Sequence, residues 1–344
     1  MNSKPVLSIQ WHITTNCDQR CKHCYLFNSP DAPIEILGSK KIDLNILKTI
    51  ADNFVSSCMR LDVIPRVAMT GGDPILSPYF WDLLQYLQAL RVKVTIMGNP
   101  FHITNDVAAR LYTLGVRDYQ MSLDGLEETH DEFRKKGSFQ TTLRAADILK
   151  NNGIHVGIMT TVSKKNANDI PPLTRLIVEK RLASCAFARF CPNSEDDLDS
   201  MFQPLEYRAF LEQMWQIYDE LHDKGTTFPL KDHLWNLLLV EKGLFSPEDT
   251  GGIVVAGCGM SISHLTVLAD GTVYACRRFK SQIGKVPDQN FDELFMNPAM
   301  DQYRVPANYG KCCQCELYAY CRGCSAVSYC VTGSWMSPDP QCWK

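Results

Sequence analysis

The chain has 344 residues, of which 45% are apolar and 21% charged, and a formal net charge of −3. This composition is typical of globular proteins, and it excludes wholesale disorder and a dominant nucleic-acid-binding surface. No apolar run approaches the roughly 18 residues of a membrane span, and the N-terminus lacks the apolar core of a signal peptide. We therefore expect a soluble, cytoplasmic protein of about two domains that contacts neither membrane nor nucleic acid.

The first 200 residues alternate strand-like and helix-like segments. Strands are predicted at Val6–Thr15, Arg66–Thr70, Val92–Met97, Asp118–Leu123, Ile154–Val162 and Ala183–Phe190. Helices are predicted at Asp43–Met59, Ser77–Leu90, Thr104–Leu114, Ser138–Asn152 and Ile170–Lys180. Such alternation predicts an α/β fold with a parallel sheet, and about six units favour an open, partial (β/α)6 barrel. Functional residues of these folds gather at the carboxyl ends of the strands.

The pattern changes after residue 200. Leu205–Lys224 and Leu230–Lys242 are predicted to form two linking helices. Beyond them, Asp270-Gly271 separates two short strand-like runs, which is a strong β-hairpin signal. The tail has little apolar sequence for a core, so metal is expected to supply much of its cohesion. We therefore divide the chain into a barrel (1–200), a helical linker (201–250) and a small cysteine-rich domain (251–344).

Fifteen cysteines are distributed unevenly along the chain. Cys17, Cys21 and Cys24 lie close together, and nine more follow residue 257. In a long chain without a signal sequence, clustered cysteines more often hold metal or do redox chemistry than form disulfides. Three thiolates leave the fourth iron of a cubane free, whereas a structural zinc site uses four protein ligands. Spacing alone therefore favours an iron–sulfur site, with zinc and incidental thiols as alternatives.

The segment Cys17–Tyr25, directly after the first predicted strand, resembles the signature of radical S-adenosylmethionine (SAM) enzymes. In that family the three cysteines hold a [4Fe-4S] cluster whose open iron binds the amino and carboxylate groups of SAM. The residue at the position of His23 usually lies against the adenine. The resemblance therefore implies that Cys17, Cys21 and Cys24 are metal ligands and that His23 contacts SAM.

Two further segments follow in the order of the family's landmarks. Thr70-Gly71-Gly72-Asp73-Pro74 resembles the glycine motif that receives the SAM amino group, although the family more often has glutamate at the position of Asp73. Met121–Gly125 resembles the segment near the SAM ribose and carboxylate, which makes Ser122 and Asp124 candidate SAM contacts. Each segment alone also fits an ordinary turn. Their order, with each ending a predicted strand, favours cofactor binding.

The C-terminal cysteines resemble the SPASM extension of radical SAM enzymes, which typically carries two auxiliary [4Fe-4S] clusters. The resemblance assigns the outer cluster to Cys312, Cys315, Cys321 and Cys342, and the inner cluster to Cys258, Cys276 and Cys324. Where the family often has a fourth inner cysteine, this chain has Gly252, so the remaining ligand is open among Cys191, Cys313, Cys330 and a substrate thiolate. A zinc ribbon is the alternative, but its Cys-x2-Cys pairs usually stand farther apart.

The resemblance implies an anaerobic oxidoreductase with three [4Fe-4S] clusters and SAM, which cleaves SAM reductively to a 5′-deoxyadenosyl radical. SPASM proteins most often resemble maturases of ribosomal peptides, so we expect a peptide or protein substrate and a new thioether or carbon–carbon bond. A haem- or tetrapyrrole-pathway radical SAM enzyme is the alternative. A non-catalytic iron–sulfur electron-transfer protein is the alternative of another class. No residue is identified as the catalytic base.

The expected partners follow from the same resemblance. An electron donor such as flavodoxin or ferredoxin would reduce the clusters. The first strand begins near Val6, so no peptide-binding domain is expected before it, and leader recognition falls to the surface or to a separate leader-peptide-binding protein. Anaerobic sulfatase maturases have an aspartate where Arg277 stands, which argues against that subgroup. Arg277, Arg278, Lys280 and Lys285 form a basic run that is predicted to be a solvated face or a contact for porphyrin carboxylates or an acidic peptide.

Overall fold

The computed structural model describes residues 4–28 and 42–344. At its centre, the described residues form one nine-stranded sheet. The strands are β1 (Val6–His12), β2 (Ile64–Thr70), β3 (Lys93–Met97), β4 (Asp118–Ser122), β5 (His155–Val162), β6 (Ser184–Arg189), β7 (His264–Val267), β8 (Thr272–Tyr274) and β9 (Gln282–Lys285). Their spatial order is β6-β5-β4-β3-β2-β1-β7-β8-β9.

Strands β1 to β6 are mutually parallel, and helices connect them, as the alternating sequence pattern predicts. In the barrel these helices are α1 (Tyr25–Asn28), α2 (Leu44–Arg60), α3 (Phe80–Ala89), α4 (Asn105–Thr113), α5 (Glu127–Phe133), α6 (Ser138–Asn151) and α7 (Ile170–Glu179). Later helices are α8 (Pro204–Leu221), α9 (Trp235–Glu241), α10 (Phe291–Phe295), α11 (Pro298–Asp301) and α12 (Ser325–Thr332). None of the helices in the described residues is long and apolar enough to cross a membrane.

The helix starts follow local capping chemistry. The Asp43 side chain accepts a hydrogen bond from the Ile46 amide at 2.9 Å, and Thr104 caps α4 in the same way. The expected cap at Ser77 is wrong, because a helical turn over Pro74–Leu76 ends there and α3 begins only at Phe80. The Ser77 hydroxyl instead accepts from the Tyr79 amide.

The C-terminal hairpin joins the barrel sheet. Strand β7 pairs in parallel with β1, in the register Gln10 opposite Thr266, and β8 and β9 extend the sheet in antiparallel fashion. The hairpin around Asp270-Gly271 was predicted, whereas its pairing with β1 was not. The barrel and the cysteine-rich part therefore share one continuous sheet.

Two apolar clusters support this arrangement. The larger one lies between the sheet and the barrel helices and reaches α10, where Phe54 packs edge-on against Phe291 with ring centroids 5.1 Å apart. The smaller one is built from α8 and α9 and includes the buried side chains of Met214 and Trp235. Their burial makes these two residues part of the core.

Candidate functional site

The loop of Cys17, Cys21 and Cys24 follows β1 and is held against the glycine segment after β2. The Gly72 amide donates to the Thr14 carbonyl at 3.0 Å, and the Asp73 amide donates to the Asn16 carbonyl at 2.7 Å. A Cβ atom at Gly72 would lie 2.1 Å from the Asn16 carbonyl oxygen, so only glycine permits this approach. The amides of this segment thus position the cysteine loop, and Gly71 and Gly72 line the neighbouring cleft.

A cleft of about 190 Å³ opens at the carboxyl ends of the parallel strands. Its wall contains six of the nine N-terminal site residues expected from the sequence, together with three arginines: Cys21, Cys24, His23, Gly71, Gly72, Ser122, Arg134, Arg277 and Arg278. Asp73 and Asp124 do not line it, because both are fully buried behind its wall. The structure therefore brings the N-terminal candidates together, but these two carboxylates lie behind the cleft and do not line it.

Asp124 lies beneath the cleft and holds Arg134. One carboxylate oxygen accepts from Arg134 Nε at 2.5 Å, and the other accepts from the Thr161 amide at 2.9 Å. Burial alone raises the pKa of a carboxyl, but Arg134 and His23 hold the pKa of Asp124 at about 2. Asp124 is therefore ionised and fixes the direction of the guanidinium.

Arg134 is a site residue that the sequence analysis missed. Its Nη1 lies 3.6 Å from Cys21 Sγ, and its Nη2 lies 3.4 Å from His23 Nε2. The side chain is only 13% exposed, so its charge is directed into the cleft beside the cysteine loop. Burial lowers the pKa of His23 to about 4, which leaves this imidazole neutral at pH 7. Only the ten-residue separation of Asp124 and Arg134 could have indicated this pair from sequence.

Asn99, which follows β3, is a second missed residue. Its side-chain amide donates to Asp18 Oδ1 at 2.8 Å and to Cys17 Sγ at 3.3 Å. Its backbone amide donates to Asp73 Oδ1 at 3.3 Å. Burial raises the pKa of Asp73 to about 7. Asn99 therefore connects the first cysteine with the carboxylate after the glycine pair.

A second cavity, of about 370 Å³, adjoins the cleft and shares His23 with it. Phe133 and Phe190 supply aromatic surface there, and Ser163 and Lys165 supply polar groups. The His23 ring packs edge-on against Phe133 with centroids 5.7 Å apart. Flat aromatic walls with a few polar groups suit a heteroaromatic ring such as adenine.

The C-terminal cysteines lie in two groups. Cys258, Cys276 and Cys324 lie within electrostatic reach of one another. Cys312 lies in the same way near Cys315 and Cys342, and Cys321 near Cys342. Each set supplies thiolate donors from several elements, which fits the donor set of an iron–sulfur cluster.

Three more side chains adjoin the first of these groups. The Cys191 thiol contacts the thiols of Cys324 and Cys330, and His233 hydrogen bonds to Cys258. Burial alone raises the pKa of the Cys258 thiol, but His233 outweighs it and brings that pKa to about 7. This favours the thiolate, which is the form that binds iron. Cys313, in contrast, lies toward Tyr318 beside the second group.

The basic run divides between the cleft and the solvent. Lys280 and Lys285 are exposed, as a solvated face predicts, but Arg277 and Arg278 line the cleft with guanidinium groups 5.9 and 5.8 Å from the Tyr25 ring. Arg277 donates to Gln10 Oε1 at 2.6 Å. Within residues 4–28 and 42–344, neither arginine forms an ion pair with a carboxylate. Arg278 also lies within electrostatic reach of Cys191, Cys276 and Cys324, whereas Arg277 in particular indicates a place for an anionic group.

Comparisons with known proteins agree with this geometry. A family model for the radical SAM superfamily matches residues 11–177, and one for SPASM, an iron–sulfur cluster-binding domain, matches residues 258–325. The AdoMet-dependent heme synthase of Methanosarcina barkeri is 26% identical and covers 99% of this chain and 97% of its own length. Mycofactocin maturase MftC of Mycolicibacterium smegmatis is 28% identical and covers 98% of this chain and 82% of its own.

Solved structures show the same fold. Streptococcus suis SuiB bound to S-adenosylmethionine matches with a TM-score of 0.74 at 16% identity, over 99% of this chain and 78% of its own. The structure of anSMEcpe with bound AdoMet matches with a TM-score of 0.72 at 18% identity, over 97% of this chain and 93% of its own. The chain therefore carries a radical SAM domain over residues 11–177 and a C-terminal SPASM iron–sulfur cluster-binding domain over residues 258–325.

Proposed function

We propose that Cys17, Cys21 and Cys24 hold a [4Fe-4S] cluster, that SAM binds in the adjoining cleft, and that the enzyme modifies a peptide or protein. Three thiols on one loop, with no fourth cysteine directed at them in the described residues, fit a cluster with one open iron. When bound, the cluster supplies the electron that cleaves SAM to a 5′-deoxyadenosyl radical.

The chain's own residues would position SAM along the cleft. Arg134 is placed to bind the SAM carboxylate, while the carbonyls of Gly71 and Gly72 can accept from its ammonium group. Ser122, at the end of β4, lines the same wall and offers a hydroxyl to the ribose or the carboxylate. The second cavity, which begins at His23, accommodates the adenine. In this scheme Asp124 acts through Arg134 and Asp73 through Asn99, without contact to SAM.

Two auxiliary clusters complete the proposed cofactor set, giving about twelve irons per chain. The outer cluster uses Cys312, Cys315, Cys321 and Cys342. The inner cluster uses Cys258, Cys276 and Cys324, and its remaining ligand comes from the chain itself. Cys191 and Cys330 both adjoin the inner group, whereas Cys313 lies beside the outer one. The proximity of these two thiols supports a closed inner cluster that carries electrons, rather than one that binds a substrate thiolate.

The size of the cleft supports a peptide, rather than a tetrapyrrole, as the substrate. The cleft measures about 190 Å³, below the roughly 300–1,000 Å³ typical of pockets that enclose a drug-sized molecule, and it is assigned to part of SAM, so little room is left in it for a second molecule. An extended peptide needs to insert only one side chain beside SAM, whereas a porphyrin macrocycle must enter as a rigid plate. The unpaired Arg277 and Arg278 then favour a peptide with a carboxylate near the reacting carbon.

A tetrapyrrole substrate is the second candidate. It is favoured by the same two arginines, which could bind propionate groups, and by the similarity to proteins named heme synthase. Peptides encoded beside the gene and an iron porphyrin carrying propionates should be offered separately to the reduced enzyme with SAM. We expect a peptide product and release of 5′-deoxyadenosine. A modified porphyrin with unmodified peptides would contradict the peptide assignment.

The cluster assignment is tested without a substrate. Changing Cys17, Cys21 and Cys24 together to Ala should remove about four irons per chain and abolish SAM cleavage. Full SAM cleavage by this variant would disprove the N-terminal site.

The fourth inner ligand is tested by comparing C191S, C330S and C313S after reconstitution with ⁵⁷Fe. Mössbauer spectra of one of the first two variants should show an altered inner-cluster iron, whereas C313S should match the wild type. If all three match the wild type, and a cysteine peptide but not its serine analogue perturbs the spectra, the inner cluster is open to the substrate.

A further inference from the structure

Three metal-ligating side chains converge behind the cysteine loop, outside the cleft. Asp18, Asp73 and His102 each direct a ligand atom to a common point, and these atoms all lie within 4.8 Å of one another. Asp18 directly follows Cys17, Asp73 follows the glycine pair, and His102 precedes α4. Three elements distant in sequence thus supply two carboxylates and one imidazole to one place.

The polar atoms directed at this point lack partners. Asp73 is fully buried, and its Oδ2 has no hydrogen-bond partner among the residues described. His102 Nε2 lies 3.3 Å from Asp18 Oδ2, yet the two are not aligned for a hydrogen bond. Ligands of a shared metal ion are arranged in this way, because they lie close together without hydrogen bonding to one another.

The local charge balance also favours a cation. No lysine or arginine in the described part of the chain forms an ion pair with Asp18 or Asp73; Lys135 reaches only the Asp18 backbone carbonyl, at 3.3 Å. Burying a carboxylate is costly unless it is paired, protonated or bound to metal.

We propose that Asp18, Asp73 and His102 bind one divalent first-row cation, such as Mn²⁺, next to the cysteine loop. Two carboxylate oxygens and an imidazole nitrogen suit this class of metal. Metal–ligand distances of about 2.0–2.2 Å allow two ligand atoms to lie up to about 4.4 Å apart, so side chains whose ligand atoms lie within 4.8 Å of one another need to move little to share an ion. The side chains of Asp18 and His102 are 25% and 39% exposed, so ions and additional water ligands can enter from solvent.

The cation would brace Asn99, which bonds to both carboxylates and to Cys17 Sγ. Outer-shell hydrogen bonds of this kind orient metal ligands. The proposed ion would thereby hold the first cysteine of the loop in place. This role is independent of which substrate the enzyme modifies.

Mn²⁺ binding to the reconstituted, chelator-treated holoenzyme tests the site. Loss of the free-Mn²⁺ EPR signal should report one site per chain in the wild type. H102A and D18N should weaken Mn²⁺ binding at least about tenfold. H155A is the matched control, because His155 also adjoins an aspartate, with Nδ1 3.5 Å from Asp118 Oδ1, but that pair is exposed and has no third ligand.

Iron content and circular dichroism identify variants that have lost a cluster or the fold. If D18N loses iron, the conclusion depends on H102A, because His102 is not next to a cysteine in the sequence. A wild type that binds no more Mn²⁺ than H102A would overturn the proposal and leave water at this position. Equal weakening in H155A would likewise assign the Mn²⁺ to surface carboxylates.

Discussion

At the scale of single residues, the site depends on a buried ion pair. Asp124 was expected to contact SAM, but the structure buries it under Arg134 and gives it two protein donors. An ionised buried carboxylate is stable here because the guanidinium neutralises it. Arg134 therefore joins the candidate SAM ligands, and Asp124 becomes its positioning residue.

We predict that R134Q weakens SAM binding by about 10- to 100-fold. A hydrogen bond to a charged group contributes about 1.5–3 kcal/mol, and the change also leaves Asp124 without its counter-charge. Isothermal titration of SAM into reconstituted enzyme measures the effect. R144Q is the control, because Arg144 is exposed on α6 and bonds only to Thr141. Unchanged affinity in R134Q with intact clusters would remove Arg134 from the SAM site.

Sequence reasoning located residues that belong to contiguous motifs and missed those that reach the site from elsewhere. Cys17, His23 and Gly72 were found because their spacing is itself a pattern. Arg134 and Asn99 lie in segments without a motif, and only the folded strand order places them beside the cysteine loop. Cys191 was one of three cysteines considered for the fourth ligand of the inner cluster. Its contacts with Cys324 and Cys330 distinguish it from Cys313.

At the scale of elements, the cysteine loop and the glycine segment form one unit. Their connection consists of amide–carbonyl hydrogen bonds between Gly72 and Thr14 and between Asp73 and Asn16. The close contact at Gly72 leaves no space for any side chain. The glycine pair therefore positions the cysteine loop and also lines the cleft.

We predict that G72A loses the N-terminal cluster. A methyl group 2.1 Å from the Asn16 carbonyl oxygen must push the cysteine loop outward, which separates the three thiols. Iron content should fall by about four per chain, with the auxiliary clusters retained. G225A is the control: Gly225 has φ +86° with open space around it, so alanine there costs about 1–2 kcal/mol of strain without touching a cluster. Full iron content in G72A would contradict this account.

Elements with a strong local signal were predicted well, and several weak ones, among them α5 and β9, were missed. The caps of α2 and α4 follow from Asp43 and Thr104, and their apolar periodicity marks the helices. Helix α5 has the polar sequence Glu-Glu-Thr-His-Asp-Glu-Phe, which gives no amphipathic pattern. Strand β9 is four residues long and contains glycine, so only its pairing with β8 defines it.

At the scale of the whole molecule, Arg189 connects three parts of the chain. From the end of β6 it donates to Asp232, before α9, at 2.6 Å and to Asp339, in the C-terminal tail, at 2.8 and 2.6 Å. All three side chains are almost completely buried. Asp339 also accepts from the amide of Cys324, so this network reaches the inner cysteine group.

We predict that R189M destabilises the protein by about 3–5 kcal/mol, because it leaves two carboxylates buried without their cation. Thermal unfolding, with cluster absorbance recorded in parallel, measures the effect. R175M is the matched control, since Arg175 pairs with Glu220 on the exposed surface, where such pairs contribute little. Equal melting temperatures for R189M and R175M would show that the network is not structural.

Several buried histidines predict a loss of stability in mild acid. Burial lowers the pKa of His12 to about 3 and those of His130 and His264 to about 4, below the ordinary 6.5. Between pH 6.5 and 4 the unfolded chain therefore binds protons that the folded chain excludes. Stability should fall as the pH drops through this window, by up to about 1.4 kcal/mol per pH unit for each histidine.

Thermal unfolding between pH 7.5 and 5 checks this expectation. H130N should show a shallower pH dependence than the wild type, because it removes one of these protonation sites. The H155A variant serves as the comparison, since His155 is largely exposed. A wild type equally stable at both pH values would contradict the prediction, provided that cluster absorbance is unchanged.

The pairing of β7 with β1 has a consequence for aggregation. A strand flanked on both sides has its backbone hydrogen bonds satisfied, and β1 gains its second neighbour only from residues 264–267. A ribosome-bound or truncated chain that ends before residue 264 would present the apolar edge of β1, including Ile9 and Trp11, as a template for intermolecular strand pairing. The last quarter of the chain therefore covers an aggregation-prone edge. We expect the nascent chain to depend much less on chaperones once this quarter has been synthesised.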